Sequence, residues 1–222
     1  MIKIENVDVY GWEAAIRGMR NPMNSWDKSD SEWKFEMPDV HPGLSPAYYV
    51  IGPADHDLMM RLAKAGTAHS KYRRFITVTV DITAPLYWWK EADQSKVGTV
   101  TNSCSTMHRI HAKEFVLEDF ACEYLRDEAF DCFLDTIDTL NDYRKRFLET
   151  KDKGDWYTMI QLLPSSYLQR RTMLLNYEVL AHMYHDRKDH KLWEWREFCE
   201  WIKTLPYSEF ITLEEPDPFE GC

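Results

Sequence analysis

The chain has 222 residues, a formal net charge of −10 at pH 7 and a hydrophobic content of 44%. This length and composition favour a globular chain with a substantial core, organised as one domain over residues 1–222, and disfavour a disordered protein. The negative charge disfavours nonspecific binding to nucleic acid, because the phosphates would be repelled at long range.

Two features of the sequence bear on the cellular compartment. There is no run of eighteen apolar residues, and the N-terminus has neither a basic leader nor a continuous apolar block. We therefore expect neither a membrane span nor a secretory signal. The five cysteines are odd in number and scattered, without a CxxC pair. Free thiols in a reducing cytoplasm explain this better than a disulfide framework.

The first half of the chain predicts one helix and one strand. The first fifty residues are rich in Pro, Asn, Asp and Ser, and the run NPMNSWDKSDSEW is typical of irregular structure. Residues 54–68 then place Leu58, Leu62 and Ala65 on one helical face. From Ile76 to Thr83, apolar and polar residues alternate, which predicts a strand with one buried face.

Helices dominate the predicted second half. Pro85 is suited to the first turn of a helix, and residues 127–150 show the apolar spacing of a long amphipathic helix. Ser166 and Gln169 form a capping box, which predicts that a further helix begins there. A final helix has its buried stripe at Trp195, Phe198, Ile202 and Leu205. The predicted class is α+β, mainly helical with a small antiparallel sheet.

Polar residues recur along the helix predicted from Ser166. Asn176 and Arg187 are eleven residues apart, so on a helix they share a face and lie roughly 16 Å from each other. Gln169 is expected on the same stripe, two turns earlier. Such a stripe suits either a solvated helix face or a groove for an extended ligand with several polar groups.

The spacing of this region resembles that of the flavin-dependent thymidylate synthases. In that family, as here, a Leu-Pro pair precedes an Asn, an Arg follows the Asn by eleven residues, and a Trp-Glu helix comes next; the chain has Pro164, Asn176, Arg187 and Trp193 in these places. Upstream, His69 stands sixteen residues before Pro85 of an Ala-Pro pair that follows a strand, which is also the family spacing. The segment YGWEAAIRGMRNPMNSWDKSDS resembles thymidylate synthase relatives of phages and their bacterial hosts.

The resemblance implies a fold, a reaction and an assembly. The implied fold is that of the flavin-dependent thymidylate synthases, and the implied cofactor is FAD. The implied reaction is the reductive methylation of deoxyuridylate with methylene-tetrahydrofolate and NADPH. The resemblance also implies a homotetramer whose site for this nucleotide-like small molecule is built between subunits.

The resemblance also implies roles for particular residues. The residues at flavin-contacting positions of the family, or next to them, are His69, Lys71, Arg74, Asn176, His182 and His190. Candidates for the nucleotide substrate are Lys96, Ser105 and Arg187. An Arg suits this task because its planar fork binds phosphate or a uracil edge through two parallel hydrogen bonds. Glu178 stands where the family often has an Arg, and a carboxylate there disfavours a diphosphate.

One signature of the family is replaced in this chain. Where the family has Arg-His-Arg after the Ala-Pro pair, the chain has Gln94, Ser95 and Lys96. Lys96 keeps one positive charge, but the pair of guanidinium groups is gone. This favours an alternative, in which a non-methylating relative keeps the scaffold as a nucleotide- or flavin-binding module for binding or assembly.

A metal site is a further alternative. Cys104, His108 and His111 follow a C-x₃-H-x₂-H pattern, which on a helix turns sulfur and imidazole ligands to one side, as zinc requires. There is no fourth ligand nearby in the sequence. A nucleophile from the run Ser103-Cys104-Ser105 with His108 as its base is weaker still, because no orienting carboxylate or Gly-rich elbow accompanies them.

Overall fold

The computed structural model describes residues 2–35, 47–95 and 97–214. Its strands are β1 (Lys3–Tyr10), β2 (Glu32–Phe35), β3 (Ala47–Val50), β4 (Thr77–Pro85), β5 (Val100–Ser103) and β6 (Leu168–Asn176). Its helices are α1 (Trp12–Arg20), α2 (Pro53–Lys64), α3 (Leu86–Ala92), α4 (Glu128–Thr150), α5 (Lys153–Leu162), α6 (Tyr177–Arg187), α7 (Trp193–Lys203) and α8 (Glu209–Thr212). None of the helices in these ranges is both long and apolar enough to cross a membrane.

A four-stranded antiparallel sheet forms the centre, in the order β1-β4-β6-β5, while β2 and β3 pair separately. The longest pairing joins β4 to β6 over nine residues, from Thr77 opposite Asn176 to Pro85 opposite Leu168. The α+β class, mainly helical with a small antiparallel sheet, is therefore confirmed.

The alternation along β4 decides which face of the sheet is buried. Val78, Val80 and Ile82 are at most 1% exposed and pack against the helices, while Thr79 and Asp81 between them are only partly buried on the opposite face. Trp88 and Trp89 of α3 belong to the same apolar core as this face, and Trp88 packs against Trp195 and Phe198 of α7. A second apolar cluster lies where α4 and α5 pack on residues 110–120. The helices predicted at 54–68, after Pro85, at 127–150 and around Trp195 are all present.

The predicted helix from Ser166 is wrong. Residues 168–176 form β6, whose side chains alternate between buried and more exposed positions. Gln169 does not cap a helix: its Nε2 donates to the Cys104 carbonyl and its Oε1 accepts from Arg171 Nε. A strand forms because β4 and β5 pair with β6 on its two sides, and these backbone hydrogen bonds outweigh a local capping preference.

The N-terminal segment contains more regular structure than its composition suggests. The run NPMNSWDKSDSEW forms two short 3₁₀ turns, Asn21–Met23 and Trp26–Lys28, before β2 begins. Before this run, however, β1 and α1 are regular elements. Helix α1 buries Ala15, Ile16 and Met19 against the core, and β1 forms one edge of the sheet.

A buried carboxylate holds these irregular turns in place. The Asp55 side chain is fully buried and accepts from Arg20 Nε at 2.6 Å. Its other oxygen accepts from the Ser29 and Ser31 hydroxyls, each at 2.7 Å, and from the backbone N–H groups of residues 30 and 31. Although burial acts to raise it, hydrogen bonds from Ser31, Ser29 and Arg20 hold the pKa of Asp55 below its ordinary value of 3.8.

We expect Asp55→Asn to lower the free energy of unfolding by about 3 kcal/mol, because Arg20 would be left buried without a counter-charge. Urea unfolding measures this. The matched control is Asp57→Asn, which breaks an exposed pair with Arg61 and should cost under about 0.5 kcal/mol. Since folding depresses the Asp55 pKa, its contribution is present above about pH 4 and lost as the pH falls below that value. Equal losses of stability in Asp55→Asn and Asp57→Asn would contradict the role of Asp55 as the buried carboxylate that holds the turns.

Candidate functional site

The end of β6 and the start of α6 meet at Asn176. Asn176 is the last residue of β6 and the N-cap of α6, where its Oδ1 accepts from the Val179 N–H at 3.0 Å. Its Nδ2 points the other way and donates to the Gly98 carbonyl at 3.5 Å. The side chain thus caps the helix with one atom and presents an amide N–H₂ group beside the loop that precedes β5.

A cleft of about 370 Å³ opens beside this cap, within the size range of small-molecule sites. Its lining consists of Arg74, Val97, Gly98, Asn176, Glu178, Val179 and His182. Three of these residues, Arg74, Asn176 and His182, are cofactor candidates from the sequence. Gly98 has a φ of +83°, and a Cβ there would lie 3.2 Å from Asn176 Nδ2, so a larger residue would narrow the cleft.

A buried ion pair lies in the wall of the cleft. Arg73 Nη1 is 3.6 Å from Glu178 Oε2, and the two residues are 5% and 4% exposed. Ser70 Oγ also donates to Glu178 Oε2, at 3.1 Å. The cation that compensates Glu178 thus comes from the 3₁₀ turn Lys71–Arg74, directly before β4.

Three polar atoms of this pair have no hydrogen bond among the described residues: Arg73 Nε, Arg73 Nη2 and Glu178 Oε1. Glu178 Oε1 has only a 3.5 Å contact with Nε2 of His182, whose side chain is largely exposed. Buried polar atoms are normally hydrogen-bonded, so the described residues leave this ion pair incompletely satisfied. The sequence shows the cluster of Lys71, Arg73 and Arg74, but not that Arg73 alone turns inward.

A second polar cluster lies at the opposite end of α6, around Glu91 of α3. Glu91 Oε2 accepts from Trp195 Nε1 at 3.1 Å and lies 3.6 Å from Arg187 Nη1 and 3.4 Å from His190 Nε2. The Arg187 guanidinium also stacks over the Trp195 ring at 5.0 Å. His190 Nδ1 accepts from the Leu192 N–H, so a neutral His190 carries its proton on Nε2, facing Glu91. Glu91 was not among the residues proposed from the sequence.

The structure therefore divides the sequence candidates between several places. Arg74, Asn176 and His182 come together in the cleft, and Arg187 and His190 meet at Glu91. His69 and Lys71 are exposed and do not line the cleft. Ser105 is exposed, where its Oγ accepts from the His108 N–H. Lys96 lies outside the described residues.

The zinc pattern finds no matching geometry. Cys104 and His108 are exposed, and they follow the strand β5 and do not lie on a helix. His111 packs its ring against Phe147 instead. Within residues 2–35, 47–95 and 97–214, no three His, Cys, Asp or Glu side chains are grouped to hold a metal ion. The four described cysteines, Cys104, Cys122, Cys132 and Cys199, are free thiols.

No protein-family model matches the chain, and no curated protein matches it in sequence. Solved structures with the same fold exist, however. Thymidylate synthase X from Helicobacter pylori, crystallised with FAD and dUMP, has a TM-score of 0.68 at 14% identity, with 95% of this chain and 96% of that chain covered. A second structure of that enzyme with the same ligands has a TM-score of 0.66 at 14% identity, covering 93% and 96%.

A different enzyme has the fold as well. The UMP/dUMP methylase PolB from Streptomyces cacaoi, bound with 5-Br dUMP, has a TM-score of 0.63 at 15% identity, with 96% of this chain and 95% of that chain covered. The expectation of a flavin-dependent thymidylate synthase fold is thus confirmed along almost the whole chain. At this identity, the likeness establishes the fold alone.

Substitutions of Asn176 distinguish its two roles, which are to cap α6 and to present an amide group at the cleft. Asn176→Ala should lower the free energy of unfolding by about 1 kcal/mol because the Val179 N–H loses its cap, and Asn176→Ser should restore most of that stability. Urea unfolding measures both variants. Ser lacks the amide N–H₂ group, so any binding lost equally in both variants is due to the amide and not to the cap. Full stability of Asn176→Ala would contradict the capping role.

Proposed function

We propose that this protein is a nucleotide-binding flavoenzyme of the thymidylate synthase type, which methylates deoxyuridylate with methylene-tetrahydrofolate and NADPH. The observation that carries the proposal is the convergence of Arg74, Asn176 and His182 in one cleft. The resemblance in the sequence implies that the last two contact FAD. The support from the fold is that two of its solved neighbours hold FAD with dUMP.

The residues present fit a flavin nucleotide in part. Arg74 is exposed at the cleft and makes no ion pair with any described residue, so its guanidinium is available for a phosphate. The Asn176 amide and the His182 ring add hydrogen-bonding groups. Glu178, in contrast, does not suit a phosphate. When bound, the flavin supplies the hydride, and this chain's residues bind and orient the nucleotides.

We propose Arg187 as the residue that holds the nucleotide substrate, with His190 beside it. Arg187 and Asn176 lie at opposite ends of α6, about 16 Å apart by helical rise. A site that uses both therefore needs a ligand that follows the helix, or a second copy of the chain. We also propose a homotetramer with sites between subunits, as the resemblance implies, and a location in the cytoplasm, where free thiols persist. Sedimentation velocity measures the assembly.

A non-methylating, nucleotide-binding relative is the second candidate. One observation favours it: the Arg187 guanidinium is already engaged by Glu91 and by the face of Trp195. A substrate would have to displace the carboxylate. The replacement of Arg-His-Arg by Gln94, Ser95 and Lys96 points in the same direction.

The deciding experiment combines flavin retention with turnover. The purified protein, incubated with FAD and passed through gel filtration, should keep a flavin absorption spectrum and form thymidylate from dUMP with both cosubstrates. Arg74→Gln should weaken FAD binding at least about tenfold, because a charge-assisted hydrogen bond contributes ~1.5–3 kcal/mol. Arg61→Gln, an exposed arginine on α2, is the control. FAD binding without thymidylate selects the second candidate, and no binding of FAD or dUMP excludes both.

The role of Arg187 has a matched control within the chain. Arg187 stacks on Trp195, and Arg196 stacks on Trp193 at a similar distance of 4.7 Å. We expect Arg187→Met to weaken dUMP binding about tenfold or more and Arg196→Met to leave it unchanged, as measured by isothermal titration calorimetry. Equal dUMP affinities in the two variants would remove Arg187 from the proposed site.

A further inference from the structure

The buried carboxylate of Glu178 limits what the cleft can bind. One of its oxygens, Oε2, accepts from Ser70 and lies against Arg73, while Oε1 has no hydrogen bond among the described residues. A carboxylate only accepts hydrogen bonds. A ligand group that meets Oε1 must therefore bring a proton, as a hydroxyl or an N–H does. A phosphate oxygen brings none and would be repelled.

The cleft is lined by groups of opposite charge. Arg74 is exposed and forms no ion pair with any described residue, whereas the buried Glu178 carboxylate accepts hydrogen bonds. A ligand with an anionic group at one end and donors nearby satisfies both. The volume of about 370 Å³ is at the low end for ligand sites, so the cleft suits one nucleoside-sized group better than a whole dinucleotide.

We infer that the cleft binds the ribose of a ribonucleotide, whose hydroxyl groups donate to Glu178 Oε1 while its phosphate lies at Arg74. Ribose presents two adjacent hydroxyls, and an acidic side chain that accepts from the 2′-OH is a recurrent device of nucleotide sites. The inference rests on the proposed nucleotide-binding function and adds that this cleft distinguishes ribose from deoxyribose. Under it, the deoxyribose of dUMP does not occupy the cleft.

A purely structural ion pair fits the observations less well. A pair that serves stability alone would satisfy its own buried atoms, because each unsatisfied polar group carries a desolvation penalty. Here Arg73 Nε, Arg73 Nη2 and Glu178 Oε1 are all unsatisfied within the described residues, and Glu178 lines an open cleft. Arg73 is thus a positioning residue that compensates the charge of Glu178. Oε1 is buried beside the largely exposed His182 ring, 3.5 Å away, and this ring moves aside when a ligand hydroxyl reaches Oε1.

The test compares ribonucleotides with their 2′-deoxy forms on the full chain by isothermal titration calorimetry. The probes are AMP against 2′-deoxy-AMP, for the adenylate half of a cofactor, and UMP against dUMP, for the substrate. We expect the ribo form of at least one pair to bind about 10–100-fold tighter, the range for a hydrogen bond to a charged group. A preference within the adenylate pair identifies the ribose as that of a cofactor, and a preference within the uridylate pair identifies it as that of a substrate.

Variants test whether Glu178 causes the preference for the ribo form over the deoxy form. The double variant Arg73→Met with Glu178→Met removes both charges, so neither is left buried alone. We expect it to bind the ribo and deoxy forms with nearly equal affinity, and to bind the deoxy form as tightly as the wild-type protein does. The matched control is Asp57→Asn with Arg61→Gln, which removes an exposed pair and should leave the preference unchanged. If the double methionine variant does not fold, Glu178→Asp keeps the charge, withdraws the carboxylate by one methylene group and should reduce the preference.

Two results overturn the inference. Equal wild-type affinities for the ribo and deoxy forms would refute the recognition of ribose by the cleft, while nucleotide binding itself would stand. A preference that persists in a folded variant of Glu178 would assign the selectivity to another residue. If none of the four nucleotides binds the wild-type protein, the inference fails, and the retention of FAD in the experiment above then decides the proposed function separately.

Discussion

The nine-residue antiparallel pairing of β4 with β6 is the constraint on which the candidate site depends. Its register sets Thr77, the first residue of β4, opposite Asn176, the last residue of β6. The 3₁₀ turn before β4 and the first turn of α6 therefore meet at one end of the sheet, and the Tyr177 N–H donates to the Ile76 carbonyl there. A shift by one residue would turn every side chain of β6 to the other face and move Asn176 away from the turn.

The charges at this end of the sheet follow from that meeting. Arg73 and Arg74 are neighbours in a tight turn, so one guanidinium faces the interior and the other faces solvent. The inward one meets Glu178 on α6, and the outward one remains at the cleft. Two adjacent cations thus differ in their surroundings: one compensates a buried carboxylate, and the other faces the cleft without an ion pair among the described residues. The far end of α6 has the opposite arrangement, where the single carboxylate of Glu91 is shared by Arg187, His190 and Trp195.

Patterns that depend on a single element were predictable from the sequence. The alternation along β4 and the apolar spacing of α4 each report on one face of one element, and both elements formed as expected. The strand β6 was not predictable in this way. The capping box at Ser166 and Gln169 is a local signal, whereas the pairing with β4 and β5 joins residues about 70 to 100 positions apart. Asn176 still proved to be a helix cap, because α6 begins directly after the strand.

The sequence by itself determined the fold class and the chemical groups available for a site, since the spacing of Asn176 and Arg187 and the position of His69 are features of the linear chain. Only the tertiary structure decided which groups meet. It joined Arg74, Asn176 and His182, turned Arg73 onto Glu178, and engaged Arg187 with Glu91. These are contacts between elements, and they are set by the register of the sheet and by the position of Glu91 on α3 near the end of α6. No spacing along the chain encodes such contacts, because a cation in a turn can face solvent or core with the same neighbours in sequence.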